Sequence, residues 1–104
     1  ININKVDDDG MTGFHYACLS GDLATVKYLS ELDGISIDEK DYRGSTPFYY
    51  ACKLNYFEIV KFLAAKIEVD VYTANNNGIT ALSYLTEEQN TICFGKNPML
   101  NNRK

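Results

Sequence analysis

His15 and Cys18 lie one helical turn apart, and an imidazole beside a thiol is the pairing that activates a cysteine nucleophile. Two features set that chemistry aside. The positions 34 residues further on hold Tyr49 and Cys52, so the pairing is not kept within the chain. Cys18 and Cys52 also occupy one repeated place among apolar neighbours, where a small thiol packs as a hydrophobe. With 3 cysteines, one histidine and no C-x-x-C spacing, no zinc site is expected. Asp7-Asp8-Asp9-Gly10 begins like a calcium loop, but the later bidentate glutamate and the alternating oxygen ligands are missing. The related turn Asn75-Asn76-Asn77-Gly78 carries no carboxylate, so both are expected to be solvated turns. No glycine-rich phosphate cradle, nucleophile elbow or paired-acid arrangement occurs. The expectation is therefore a chain without catalysis, cofactor or metal.

Composition narrows the partners. The chain has 104 residues, with 14 acidic against 10 basic side chains, a net charge of −4 and a pI near 4.8. The basic residues are scattered, which argues against nucleic acid or an anionic membrane as partner. No segment approaches the ~18 uninterrupted apolar residues of a membrane span. The first residues show no initiator Met, basic n-region or apolar h-region, so no secretory signal is visible. The odd cysteine count and the lack of an Asn-x-Ser/Thr sequon fit an intracellular, most simply cytoplasmic, setting. Equivalent positions in stacked repeats lie about 10 Å apart, too far for Cys18 and Cys52 to form a disulfide.

The elements that hold these residues repeat with a period of 34 residues. Gly10-Met11-Thr12-Gly13-Phe14-His15-Tyr16-Ala17-Cys18 recurs as Gly44-Ser45-Thr46-Pro47-Phe48-Tyr49-Tyr50-Ala51-Cys52, and more weakly as Gly78-Ile79-Thr80-Ala81-Leu82-Ser83-Tyr84-Leu85-Thr86. Windows 10–30 and 44–64 agree at nine of 21 positions. A fixed period of this length marks a solenoid, in which each unit buries its apolar face against its neighbours. Each unit reads as turn, helix, turn, helix, loop. Pro47 after Thr46 suits a first helical position, and Gly21 and Asn55 suit a left-handed helix end. Asp22 stands where an N-cap is wanted, before the apolar stripe Leu23, Val26, Tyr28 and Leu29. Phe57, Ile59, Val60, Phe62 and Leu63 repeat that stripe as core. Helices are predicted over Gly13 to Leu19, Asp22 to Leu32, Pro47 to Lys53, Tyr56 to Lys66 and Ala81 to Glu88.

Thr46-Pro47-Phe48-Tyr49-Tyr50-Ala51 and Thr12-Gly13-Phe14-His15-Tyr16-Ala17 resemble the T-P-L-H-x-A signature of the ankyrin repeat. Leu23 to Leu29 and Phe57 to Leu63 resemble that family's second helix. The resemblance covers residues 2 to about 88. It implies an all-α ankyrin-repeat solenoid of stacked antiparallel helix pairs, with β-hairpin or loop tips projecting from the stack. It also implies that Thr12 and His15 are structural, bonding around the turn that starts the first helix. The expected organisation is 1–9 as the tail of a preceding repeat, 10–43 and 44–77 as repeats, and 78–104 as a degenerate or truncated repeat or cap. Both linkers are one residue longer than usual, so irregular hairpins are expected. In the third unit Gln89 replaces the helix-ending Gly. Gly95 and Pro98 stand where a second helix should run, and that helix is expected to fail. Poor cover for Phe14, Tyr16 and Leu23 points to a segment of a longer protein.

Such a fold moves function from a pocket to a surface. Ankyrin proteins bind partners with their tips and the inner face of their first helices. Carried over by position, the tips are Asp8, Asp9 and Met11; Tyr42, Arg43 and Ser45; Asn76, Asn77 and Ile79. The first-helix positions are Leu19 and Ser20, Lys53 and Leu54, then Glu87 and Glu88. Tyr16, Tyr50 and Tyr84 recur at the repeat period and form a ladder of rings. Either they contact a partner, as tyrosine-rich faces do, or they pack between helices with their hydroxyls in water. The expected function is a non-catalytic protein-binding scaffold, with no nucleic acid, membrane or small-molecule ligand. The alternative is a substrate-recruiting or regulatory segment of a larger enzyme.

Overall fold

The computed structural model describes residues 2–95. Helix α1 spans Gly13–Ser20 and α2 Leu23–Ser30; α3 spans Pro47–Lys53 and α4 Phe57–Ala64. A 3-10 turn over Ala81–Tyr84 and α5 over Glu87–Phe94 complete the described residues. Helix α1 packs on α2 and α3, α3 on α4 and the 3-10 turn, and α4 on α2 and α5. Each unit thus covers its neighbour, as the repeat requires. No helix among the described residues is long and apolar enough to cross a membrane.

The helix boundaries follow from their caps. Thr12 and Thr46 are extended N-caps whose hydroxyls accept from the His15 and Tyr49 amides. Pro47 follows Thr46 where its missing N–H costs nothing. Asp22 caps α2 by accepting from the Ala24 amide. Gly21 at φ 78 and Asn55 at φ 58 both take the left-handed conformation that ends the first helix. Helices α2 and α4 stop about two residues earlier than predicted. There the amides of Glu31, Leu32 and Lys66 reach back only three residues, to Tyr28, Leu29 and Leu63, and this tightens the last turn.

The core repeats with the sequence. Phe14 and Phe48, Ala17 and Ala51, Cys18 and Cys52, and Val26 and Val60 are buried in equivalent places, joined by Ile59 and Leu63. The long linkers are bracketed by side chains. The Asn4 amide donates to the Gly34 carbonyl at 2.9 Å and accepts from the Ser36 amide at 2.7 Å. One period on, Asp38 accepts from the Asp70 amide at 3.0 Å. Its other carboxylate oxygen is buried without a hydrogen-bond partner among the described residues.

The third unit departs from the prediction. The continuous helix expected over Ala81 to Glu88 is interrupted, because Leu85 and Thr86 are extended. Thr86 instead opens α5 with a capping box. Its hydroxyl accepts from the Gln89 amide, and the Gln89 side chain accepts from the Thr86 amide, each at 3.0 Å. Gln89 therefore begins a helix rather than replacing the end of one. It also exchanges two hydrogen bonds with Asn55, at 3.1 and 3.2 Å. The second helix expected to fail is present up to Phe94 and ends at Gly95. It starts four residues before the place the period assigns, so the first helix of this unit has lost about one turn. Glu87 and Glu88 accordingly lie in the first turn of α5, off the first-helix row. Pro98 and the rest of the expected cap at 96–104 lie outside the described residues.

Candidate protein-binding face

Three matching turns set the face. Asp7, Asp41 and Asn75 stand one period apart, each three residues before a glycine. Asp7 Oδ1 accepts from the amides of Asp9 and Met11, Asp41 Oδ1 from Arg43 and Ser45, and Asn75 Oδ1 from Asn77 and Ile79. The turns also close through backbone bonds, such as the Gly44 amide to the Asp41 carbonyl at 2.9 Å. Successive turns lock together. The Tyr42 amide donates to the Asp9 carbonyl at 3.0 Å and the Asn76 amide to the Arg43 carbonyl at 2.9 Å. A Cβ on Gly10 would lie 2.5 Å from the Tyr42 ring, and one on Gly44 would lie 2.9 Å from the Asn76 amide nitrogen. At φ near +78° and this close to a neighbour, only glycine fits. The projecting tips are loops: pairing among the described residues is a single antiparallel bridge, Ala74 with Thr80.

Behind the turns, His15 is fully buried and joins two units. Its Nδ1 accepts from the Thr12 amide at 3.1 Å, leaving Nε2–H to donate to the Ser45 carbonyl at 3.1 Å. Both ring nitrogens are occupied. Cys18 is fully buried, and desolvation pushes its thiol up to about 12. Burial raises the Cys52 thiol as well. These groups form no nucleophile pair. No group of three or more metal-binding side chains occurs among the described residues.

The tyrosine ladder is interleaved rather than direct. Tyr16 and Tyr50 donate their hydroxyls to Asp7 and Asp41 of their own turns, so neither hydroxyl simply reaches water. Tyr49 stands between Tyr50 and Tyr84, with edge-to-face ring centroids 5.4 and 5.6 Å apart, and shares a 3.0 Å hydroxyl contact with Tyr84. Burial, then the Tyr84 hydroxyl, pushes Tyr49 up to about 12. Burial, then the Asp41 carboxylate, raises Tyr50. The hydrogen bond from Tyr16, reinforced by the Met11 amide, holds Asp7 below the usual carboxylate value.

The expected contact residues divide by exposure. Asp8, Asp9, Asn76 and Asn77 are exposed at the tips, Tyr42 is 68% exposed, and Arg43 stands out beside it. Tyr16, Lys53, Leu54 and Ile79 are exposed, while Leu19 and Tyr50 are half-buried. Met11 and Ser45 are buried: the first two turns fold their fifth residue inward, while the third, with the same amide bond, leaves Ile79 exposed. The middle of the face holds a concavity of ≈ 510 Å³. It is lined by Tyr42, Arg43 and Ser45 of the second turn, Tyr49, Tyr50 and Lys53 of α3, and Asn75, Asn76 and Asn77 of the third turn. The sequence reading missed Asp7, Asp41, Tyr49 and Asn75. For Asp7, Asp41 and Asn75 the signal was an acid or amide nine residues before a tyrosine, kept at every period; Tyr49 carried none.

Stacked helix pairs with an aligned row of turns along one edge define a repeat scaffold of the ankyrin type. Residues 1–75 match the family model described as Ankyrin repeats (3 copies), and the chain belongs to the ankyrin-repeat family. Members are generally protein–protein interaction modules and typically non-catalytic. Comparison with the curated proteins gives no match.

Proposed function

We propose that this chain is a non-catalytic protein-binding scaffold that seats its partner on the turns and the first-helix row. We take its working units to be 10–43, 44–77 and the divergent unit from 78 onward. The observation that carries this reading is the concavity between the second and third turns, flanked by exposed Tyr42, Arg43 and Lys53. Binding hot spots are central and rich in tyrosine and arginine, and these residues sit mid-stack, where the turns on both sides fix the backbone. Three free cysteines fit an intracellular, cytoplasmic setting for that partner.

The test is affinity capture with the chain as bait, followed by calorimetric titration of the captured protein. Tyr42→Ala or Arg43→Ala should weaken binding by about 2 kcal/mol or more while leaving the melting curve nearly unchanged. A captured partner that binds both variants as it binds the parent would place the interaction elsewhere, on the outer surface around Lys27, Glu58 and Lys61.

A further inference from the structure

We infer that the partner segment entering the central concavity carries a carboxylate side chain, an aspartate or glutamate in an extended stretch, held between Arg43 and Lys53. This rests on the protein-binding reading above and names the chemistry of its occupant.

The charge of the concavity opposes that of the chain. Acids outnumber bases 14 to 10 overall, yet the lining holds two cations, Arg43 and Lys53, and no acid. Asp41, whose carboxylate takes the hydroxyl of the lining Tyr50, is 5% exposed. One of its oxygens takes the Arg43 and Ser45 amides and the other takes the Tyr50 hydroxyl, so both are committed. Neither cation has an ion-pair partner among the described residues, where the single pair is Lys61 with Glu58 on the outer helices.

Both cations are also pre-positioned. Arg43 roots in a turn fixed on two sides, its amide on Asp41 and its carbonyl on the Asn76 amide. Lys53 Nζ lies over the Tyr49 ring, 6.0 Å from its centroid, and no carboxylate pairs with it among the described residues. Across the concavity, Asn77 adds an amide on an exposed tip. Two cations and an amide around an open floor suit one planar carboxylate, which accepts at two oxygens. The exposed Tyr42 ring beside them offers a flat surface to a neighbouring residue of the segment.

Other anions fit less well. A phosphate is favoured by converging backbone N–H groups, and here the turn amides donate back into their own turns or to the adjacent one. A polyanion such as nucleic acid would meet the exposed Asp8 and Asp9 on the first tip and the overall charge of −4.

The experiment pans a random dodecapeptide display library against the full chain, then titrates the most enriched peptide, fluorescein-labelled, by fluorescence polarisation. The enriched pool should be acidic. Replacing its acidic residue by the amide should weaken binding about tenfold, as should Arg43→Glu or Lys53→Glu, and added salt should weaken the parent complex. Lys27→Glu on the outer face should bind as the parent does, and melting curves establish that every variant is folded. A neutral or basic pool, no enrichment, a preference for the phosphorylated over the acidic peptide, or indifference to both charge reversals would overturn the inference. If the inference fails in any of these ways while the captured protein still depends on Tyr42, the scaffold reading stands and the acidic segment alone is wrong.

Discussion

Asp38→Asn should stabilise this protein, and the chain itself supplies the template. Asn4 occupies the equivalent position one period earlier, where its oxygen accepts from the Ser36 amide and its nitrogen donates to the Gly34 carbonyl. Asp38 keeps the first bond, to the Asp70 amide, but has no donor for the second, and its Oδ1 is buried unpaired. By the same equivalence, the nitrogen of an asparagine at 38 is expected to donate to the carbonyl of Glu68, which shares a surface cleft with Asp38. A buried unsatisfied oxygen costs about 1–3 kcal/mol, and the half-exposed side chain places the gain at the lower end, about 1 kcal/mol. For a chain of this length that is roughly 4–8 °C in Tm.

The pH dependence gives a second check on that reasoning. Desolvation leads the causes that raise Asp38 above 3.8, so the fold favours its protonated form. Its contribution is therefore fully present below the unfolded value and lost as pH rises through the folded one. The asparagine variant has no such loss, so its advantage should be largest near neutrality and shrink towards pH 4 and below. Thermal melts of both proteins by circular dichroism across that range measure it. An Asp38→Asn protein that melts at or below the parent at pH 7 would refute the bracket argument.

The turns, the core and the tyrosines give further tests. Asp41→Ala leaves a buried Ser45 amide, the Arg43 amide and the Tyr50 hydroxyl without their acceptor and should cost about 2–4 kcal/mol by denaturant melt. Asp41→Asn keeps the Oδ1 acceptor, as Asn75 does, and should cost about 1 kcal/mol or less; equal losses would show that the turn does not depend on that oxygen. Leu63→Ala, at a fully buried position, should cost roughly 2–5 kcal/mol, enough to unfold a short array, and a parent-like melting temperature would remove Leu63 from the core. Tyr49 is raised from 10.0 to about 12, so its stabilisation is complete below pH 10 and should vanish between there and pH 12. Phenolate absorbance should show a late step that Tyr49→Phe removes.

Where the period and the capping chemistry agree, the sequence was legible. Thr12, Thr46, Asp22, Gly21 and Asn55 each mark a helix end found where it was expected, because cap and turn preferences are local and need no knowledge of packing. The third unit was misread where those two signals conflict. Thr86-Glu87-Glu88-Gln89 is a capping-box sequence with acids in the first turn, and its local hydrogen bonds override the 34-residue register. On the face, exposure followed the tips except at Met11 and Ser45, which are buried. Asp7 and Asn75 read as residues of solvated turns because a side chain's commitment to amides two and four residues on appears only once the turn closes. Tyr49 looked like a lapse from histidine. Its role depends on Tyr84, a neighbour 35 positions away.

That replacement at position 49 makes the two joints of the stack mechanically unequal. The first is riveted through its interior by the imidazole of His15 gripping the Ser45 carbonyl. The second has in that place an edge-to-face ring pair and one hydroxyl contact, and its inner helix is one turn short. Pulled from its ends, the chain should peel at the second joint, shedding the third unit while the first two travel as one block. A partner wedged across that joint would act as a splint.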